Sequence, residues 1–107
     1  MAAKEKKEKV ENPASYGRVR IAFKDVDAEA EAAMMAATGQ ALKDFHKGDT
    51  KHFWQIAEGI KNQMAEWRPG KWHVFVGKEF GSFVTHESGT LLYFFVGQTG
   101  ILIFKHG

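Results

Sequence analysis

The residue types that most often perform chemistry are thinly spread along this chain. Its histidines are His46, His52, His73, His86 and His106, and no two of them lie three or four residues apart. That spacing is what places two imidazoles on one face of a helix around a metal ion. The chain has no cysteine, which excludes a thiolate zinc site and a disulfide framework. The sequence therefore predicts no metal site.

One short run, Thr85-His86-Glu87, contains residue types found in catalytic sites. Neighbouring residues in a strand point to opposite faces, however, so these three side chains cannot converge. Ser82 follows Gly81, but the surrounding residues do not form the Gly-x-Ser-x-Gly elbow of the serine hydrolases. The glycines form neither a Walker loop nor a dinucleotide fingerprint. We predict that the protein is not an enzyme and has no cofactor.

The last third of the chain consists of short β-rich runs separated by glycine-containing breaks. The four runs are residues 72–76, 80–86, 90–96 and 101–105. Breaks this short, with glycine available for positive φ angles, are typical of hairpins, so the runs predict an antiparallel meander. The run at 80–86 is compatible both with an ordinary hairpin strand and with an edge strand to which a partner's strand adds.

The third and fourth runs, LLYFFV and ILIF, do not alternate apolar and polar residues. A strand in a sheet with one solvent-exposed face alternates apolar and polar residues, so we expect both faces of these strands to be buried. Helices upstream can cover one face, which leaves the other for a ligand, a second layer or a second subunit. A homodimer packed sheet on sheet is the simplest solution.

Upstream of this region the sequence predicts one strand and two helices. Residues 1–15 are rich in Lys and Glu of alternating sign, typical of a disordered charged tail, and residues 16–107 form the domain. In residues 16–24, Val19, Ile21 and Phe23 alternate with Arg18 and Arg20, which predicts a half-buried strand with one apolar and one polar face. The fold class is therefore α+β: an N-terminal strand, two helices and then a four-stranded antiparallel sheet.

Both helices have recognisable ends and apolar stripes. The first, residues 28–46, has Asp27 or a neighbouring residue as its N-cap and is followed by Gly48. The second runs to about residue 67, with Asp49 or Thr50 as its expected N-cap. Trp54 falls beside the stripe of the second helix, so it either packs against a loop or binds a partner.

Composition sets further limits. The chain has 107 residues, enough for one domain with a real core, and 44% of them are hydrophobic. A net charge of +2 is too small to indicate nucleic acid by itself. The N-terminus has no apolar secretory segment, and no apolar run is long enough to span a bilayer. We expect a soluble protein of the cytosol that binds no membrane.

The motifs FGS at 80–82, VTHE at 84–87 and GQ at 97–98 together form a specific signature. They lie within WHVFVGKEFGSFVTHE and LLYFFVGQTGILIFKHG, and these stretches resemble the C-terminal half of the small dynein light chains, the eight-kilodalton class. The resemblance extends from about residue 18 to residue 107 and is densest from residue 72 onward. The phrase AATGQAL at residues 36–42 is similar to the first helix of that family.

This resemblance implies a strand-exchanged homodimer to which short disordered segments of partner proteins add as an extra strand. A Thr-Gln-Thr-like motif is the commonest ligand in the family. By position, the pairing strand would consist of Phe80, Gly81, Ser82, Phe83, Val84, Thr85 and His86. Tyr93 and Phe95 would line the groove, and His73, Ser82 and Val84 would lie at the dimer interface. Burial of His73 there would make the dimer dissociate in acid.

The implied function is a dimeric clamp on dynein intermediate chains, a non-catalytic subunit of the motor complex. Two grooves on one dimer would hold two partner chains in register. The implied partners are dynein intermediate chains and other dynein light chains, in a homodimer or in a heterodimer with a related light chain. The implied location is the cytoplasm and cytoskeleton, with the ciliary axoneme as an option.

Some positions depart from the family pattern. The family usually has an acidic residue and a lysine at the start of its second helix, where the ligand glutamine is held, and here Phe53 and Trp54 replace them. An apolar pair cannot reproduce the hydrogen bond of a carboxylate. Phe83 and Phe95 replace tyrosines, and His106 replaces a small residue. These departures favour a specialised paralogue, such as a light chain of an axonemal outer arm.

Three alternatives stay open. The protein is a general dimerisation hub for partners outside dynein, an assembly subunit whose groove is closed or permanently occupied, or a nucleic-acid-binding module that uses the Lys-rich tail and the aromatic residues of the sheet. The last alternative predicts binding that weakens steeply with salt.

Overall fold

A computed structural model describes residues 12–78 and 89–107 of the chain. It contains a 3-10 turn at Pro13–Tyr16, two helices and four strands. In chain order these are β1 (Val19–Val26), α1 (Ala28–Lys47), α2 (Phe53–Trp67), β2 (Trp72–Gly77), β3 (Thr90–Val96) and β4 (Thr99–Lys105). The predicted α+β class is confirmed, with the N-terminal strand forming part of the four-stranded antiparallel sheet.

The strands lie in the order β1-β3-β4-β2, and every pairing is antiparallel. The hairpin between β3 and β4 was predicted and is present, with Gly97 at φ 61° in its turn. The prediction of a simple meander in chain order was wrong, because β3 lies between β1 and β4, and β4 pairs with β2 on its other side. The predicted strand at 80–86 lies outside the described residues.

The ends of α1 follow from local hydrogen bonding. The Asp27 carboxylate accepts a 2.8 Å hydrogen bond from the backbone N–H of Ala30, which confirms it as the N-cap. Glu29 and Glu31 lie in the first turn, where negative charge favours the helix dipole. Gly48 ends the helix in the left-handed conformation, as expected for glycine at that position.

The start of α2 differs from the expectation. Neither Asp49 nor Thr50 is the N-cap, because the helix begins at Phe53 with His52 before it. The Gln55 side-chain oxygen accepts hydrogen bonds from the backbone N–H groups of Lys51, at 2.8 Å, and His52, at 3.0 Å. A glutamine at the third helical position thus satisfies N–H groups ahead of the helix and sets its first residue.

Both helices pack on one face of the sheet and form the main core with it. The predicted stripes are largely buried, with Met34, Thr38 and Leu42 in α1 and Ile56, Ile60 and Met64 in α2. The sheet contributes Trp72, Leu92, Phe94, Val96, Ile101 and Ile103 to the same core. The Trp72 indole N–H donates to the carbonyl of Arg68, which ties β2 to the end of α2.

The prediction of a half-buried β1 with its apolar residues on one face was wrong. A bulge at Ala22 places Ile21 opposite Phe94 but Phe23 opposite Tyr93, so the two side chains lie on opposite faces. Ile21 remains 41% exposed and Phe23 55% exposed in the single chain.

Candidate partner-binding face

The second face of the sheet, pointing away from the helices, is also apolar, and we call it the outer face. Strict alternation along β2, β3 and β4 sends every second side chain to it. Its central cluster is Leu91, Leu102 and Phe104, packed with Tyr93, and no described helix residue belongs to that cluster. The non-alternating sequences of β3 and β4 predicted this second apolar face, and the structure places it on the strands expected.

Aromatic rings extend the outer face across β2. Phe75 is 50% exposed, and its ring lies parallel to that of Phe104 at 6.3 Å between centroids. The His73 ring also stacks with that of Phe104, at 5.0 Å between centroids. Its Nε2 lies 3.1 Å from the carbonyl oxygen of His106. His73 is exposed in the single chain and lies on the face where the resemblance predicts a dimer contact.

Two groove residues named from the sequence, Tyr93 and Phe95, are neighbours on β3. Their ring centroids are 5.5 Å apart, and both side chains are half-buried on the outer face. The Arg20 guanidinium carbon lies 4.6 Å from the centre of the Phe95 ring, a cation–π contact across the β1–β3 pair. These residues form one continuous surface of the outer face toward β1.

The two residues at the start of α2 have different environments. Phe53 is half-buried and packs against Phe45, with ring centroids 6.1 Å apart. Trp54 is 62% exposed and stacks on His52 at 6.2 Å. Of this pair, Trp54 alone presents most of its side chain to solvent, so any contact with a partner here depends chiefly on its indole.

The pairing strand inferred from the resemblance, residues 80–86, lies outside the described residues. This applies to Phe80, Gly81, Ser82, Phe83, Val84, Thr85 and His86, including Ser82 and Val84 as dimer contacts. The described part of the chain therefore brings together Tyr93, Phe95 and His73 on one face and leaves Phe53 and Trp54 on the helical layer.

The sequence reasoning missed four contributors to the outer face: Arg20, Phe23, Phe75 and Phe104. Phe75 could have been found from the sequence, because it lies two residues from His73 on the same strand and therefore shares its face. Phe23 was hidden by the bulge in β1, which the sequence does not reveal.

Two further features, a metal site and a membrane-spanning helix, were searched for within residues 12–78 and 89–107. No group of three His, Cys, Asp or Glu side chains there is arranged to hold a metal ion. No helix of the described chain is both long enough and apolar enough to cross a membrane.

Comparison with known proteins decides the family. The family described as "Dynein light chain type 1" matches residues 18–106. The chain belongs to the dynein light chain family. The resemblance seen in the FGS, VTHE and GQ motifs is thereby confirmed. Dynein light chains of this family are in general non-catalytic structural and adaptor subunits.

Relatives in fungi agree with this assignment. The cytoplasmic dynein light chain of Emericella nidulans is 34% identical over 103 residues, which cover 96% of this chain and 97% of the relative. Dynein light chain 1, cytoplasmic, of Debaryomyces hansenii is 50% identical over 52 residues, or 49% of this chain and 57% of the relative. Four relatives, the one from Debaryomyces hansenii among them, match over only 50 to 52 residues, and the matched part of the chain spans 54% to 59% of their length.

Solved structures confirm the fold. The dynein light chain-like domain of the Fasciola hepatica calcium binding protein FhCaBP2 superposes with a TM-score of 0.67, covering 88% of this chain and 96% of that one at 15% identity. The corresponding domain of CsTAL3 gives a TM-score of 0.55 at 13% identity, covering 81% and 90%. Both comparisons concern the fold alone.

Proposed function

We propose that this protein is a non-catalytic subunit of a dynein motor complex, a dimeric clamp that binds dynein intermediate-chain segments by β-strand addition and promotes their assembly. Family membership supports a dynein light chain role. The observation that supports a dimer is the apolar outer face. Phe23 is 55% exposed and Phe75 is 50% exposed in the single chain. An exposed apolar surface of this kind is typical of a protein–protein interface.

We propose that a second copy of the chain packs against this face. Sheet-on-sheet packing buries both copies of an apolar face at once, and a two-fold axis brings the same residues together from each chain. His73 and Phe75 are the described residues that we place in this contact. The resemblance adds Ser82 and Val84 to His73 at this interface, and Phe75 is our addition.

The clamp follows from having two grooves on one dimer. In our proposal, residues 80–86 offer the edge to which the partner segment adds, while Tyr93 and Phe95 form the wall. Binding of the first partner chain raises the effective concentration for the second, so a dimer holds two chains in register without any new contact.

The residues at the start of α2 support a light chain that is specialised for few partners rather than a general hub. Trp54 presents an exposed indole, and Phe53 is committed to packing against Phe45. Neither side chain can accept a hydrogen bond, as the carboxylate of the family's usual acidic residue does there. We therefore propose an axonemal or otherwise dedicated light chain of the cytoplasm and cytoskeleton, which also pairs with related light chains.

Native mass spectrometry with and without a Thr-Gln-Thr peptide tests this function. A dimer that takes up two peptides is the result expected of a conventional clamp. A dimer that ignores this peptide but binds an intermediate-chain segment supports the dedicated groove. A chain that binds many unrelated proteins in a pull-down contradicts specialisation and favours the general hub. A monomer that binds neither ligand contradicts the clamp.

A further inference from the structure

Two cations from opposite edges of the sheet meet at one end of the molecule. Arg20, on β1, is paired with Phe95 in β3, shortly before the β3–β4 turn. Lys78 directly follows the end of β2, where Gly77 is paired with Gly100 in β4, just after the same turn. Because β1 and β2 flank the β3–β4 hairpin, this register brings both side chains to the turn.

Arg20 and Lys78 line a cleft of ≈ 320 Å³ together with Gly97 and Gln98 of the turn. The described lining thus consists of a guanidinium, an ammonium, a carboxamide and turn backbone, without a carboxylate. The ion pairs described elsewhere in the chain use other residues, such as Lys24 with Glu31 and Arg68 with Glu29. Neither cation of the cleft has a carboxylate partner within residues 12–78 and 89–107.

The cleft adjoins the predicted groove wall. The Arg20 guanidinium rests on the Phe95 ring at 4.6 Å, and the Phe95 ring contacts that of Tyr93 at 5.5 Å. Stacking on a ring occupies the face of the guanidinium and leaves the N–H donors around its edge available. A segment lying over Tyr93 and Phe95 therefore reaches the cleft with the residues that flank it.

We propose that this cleft binds the carboxylate of an Asp or Glu that flanks the partner segment held in the groove. The inference rests on the proposed function, since it assigns part of the sequence preference of that same partner. Arg20 supplies planar donors that match a carboxylate, and Lys78 supplies a second positive charge on the opposite side of the cleft. The cleft thus selects partners whose groove-binding motif is followed or preceded by acidic residues.

The test uses the full chain and two Thr-Gln-Thr peptides that differ only in their flanking residues, two Glu or two Gln at each end. Affinities are measured by calorimetry for the unaltered protein, for the double variant R20Q/K78Q and for the control K61Q. Lys61 is an exposed cation of α2, on the opposite layer, so its substitution makes half the charge change of the double variant without touching the cleft. The single variants R20Q and K78Q match the control in charge.

We expect the Glu-flanked peptide to bind on the order of fivefold more tightly than the Gln-flanked one, which is the scale of solvent-accessible ion pairs. The preference should shrink in each single variant and vanish in R20Q/K78Q, while K61Q retains it. Equal affinities for the two peptides in the unaltered protein would overturn the inference and leave the proposed clamp intact. A preference retained in R20Q/K78Q would overturn it as well.

A separate measurement covers the case in which neither peptide binds, a result that contradicts the clamp for this motif. Inorganic phosphate is then titrated into ¹⁵N-labelled protein at constant ionic strength, and the amide signals of Gly97 and Gln98 are followed. Saturable shifts that disappear in R20Q/K78Q support the anion site. Uniform or absent shifts overturn it.

Discussion

Substituting Phe75 with alanine should dissociate the proposed dimer while leaving the single chain folded. A phenylalanine side chain buries roughly 200 Å² when fully enclosed, and Phe75 is 50% exposed in the single chain. About 100 Å² per copy is therefore available to a partner, worth about 2.5 kcal/mol at about 25 cal/mol per Å². Two copies meet in a symmetric interface, which gives an upper value of about 5 kcal/mol. Because alanine retains part of that contact, a loss of about 3 kcal/mol, or roughly a hundredfold weaker dimer, is the expected result.

Sedimentation equilibrium over a range of protein concentrations measures this change directly. The matched control is Trp54→Ala, which removes another exposed aromatic side chain, 62% accessible, but from the helical layer. The control should leave the dimerisation constant unchanged, and circular dichroism should show that both variants remain folded. If Phe75→Ala and the unaltered chain dimerise equally tightly, the outer face is not the interface and the reasoning is refuted.

Two further predictions concern the fit of the backbone at glycine positions. Gly17→Ala should lower the free energy of unfolding by about 1–3 kcal/mol in urea, because φ is 155° there and a new Cβ would lie 2.8 Å from the Gly97 nitrogen; unchanged stability would contradict this. Gly59→Ala should raise the free energy of unfolding by about 0.5–1 kcal/mol, because the new Cβ would lie at an ordinary van der Waals distance of 3.5 Å from the Cβ of Ala41. A lower free energy of unfolding in this variant would contradict the prediction.

The helical layer was predictable because its signals are local. Asp27 and Gly48 are strong end signals, and both act as expected on α1. The apolar stripe from Ile56 to Met64 repeats at helical spacing, so its burial followed from periodicity alone. The start of α2 was missed because two weak N-cap candidates, Asp49 and Thr50, lie ahead of the glutamine that determines the cap.

Sheet topology was less accessible, because it depends on non-local pairing. The hairpin of β3 and β4 is short and marked by Gly97, and its prediction was correct. The pairing of β2 with β4 and the bulge at Ala22 are set by the tertiary fit of the edges, and no residue pattern in the sequence specifies them.

The candidate site was predictable in outline. Tyr93 and Phe95 were assigned from the resemblance and lie side by side on the outer face. Arg20 was read only as the polar face of a strand, and its contact with Phe95 becomes visible when β1 is paired with β3. The proposed pairing strand at 80–86 and the tail boundary at residue 15 remain predictions. Pro13, within that tail, is buried in a 3-10 turn that contacts α1.

The central claim is that two copies of this chain hold two partner chains. The most direct measurement is the mass, by light scattering, of the complex between the full chain and a recombinant dynein intermediate-chain segment. We expect two light chains and two segments in one particle. A one-to-one particle, or two light chains that bind no segment, would contradict it.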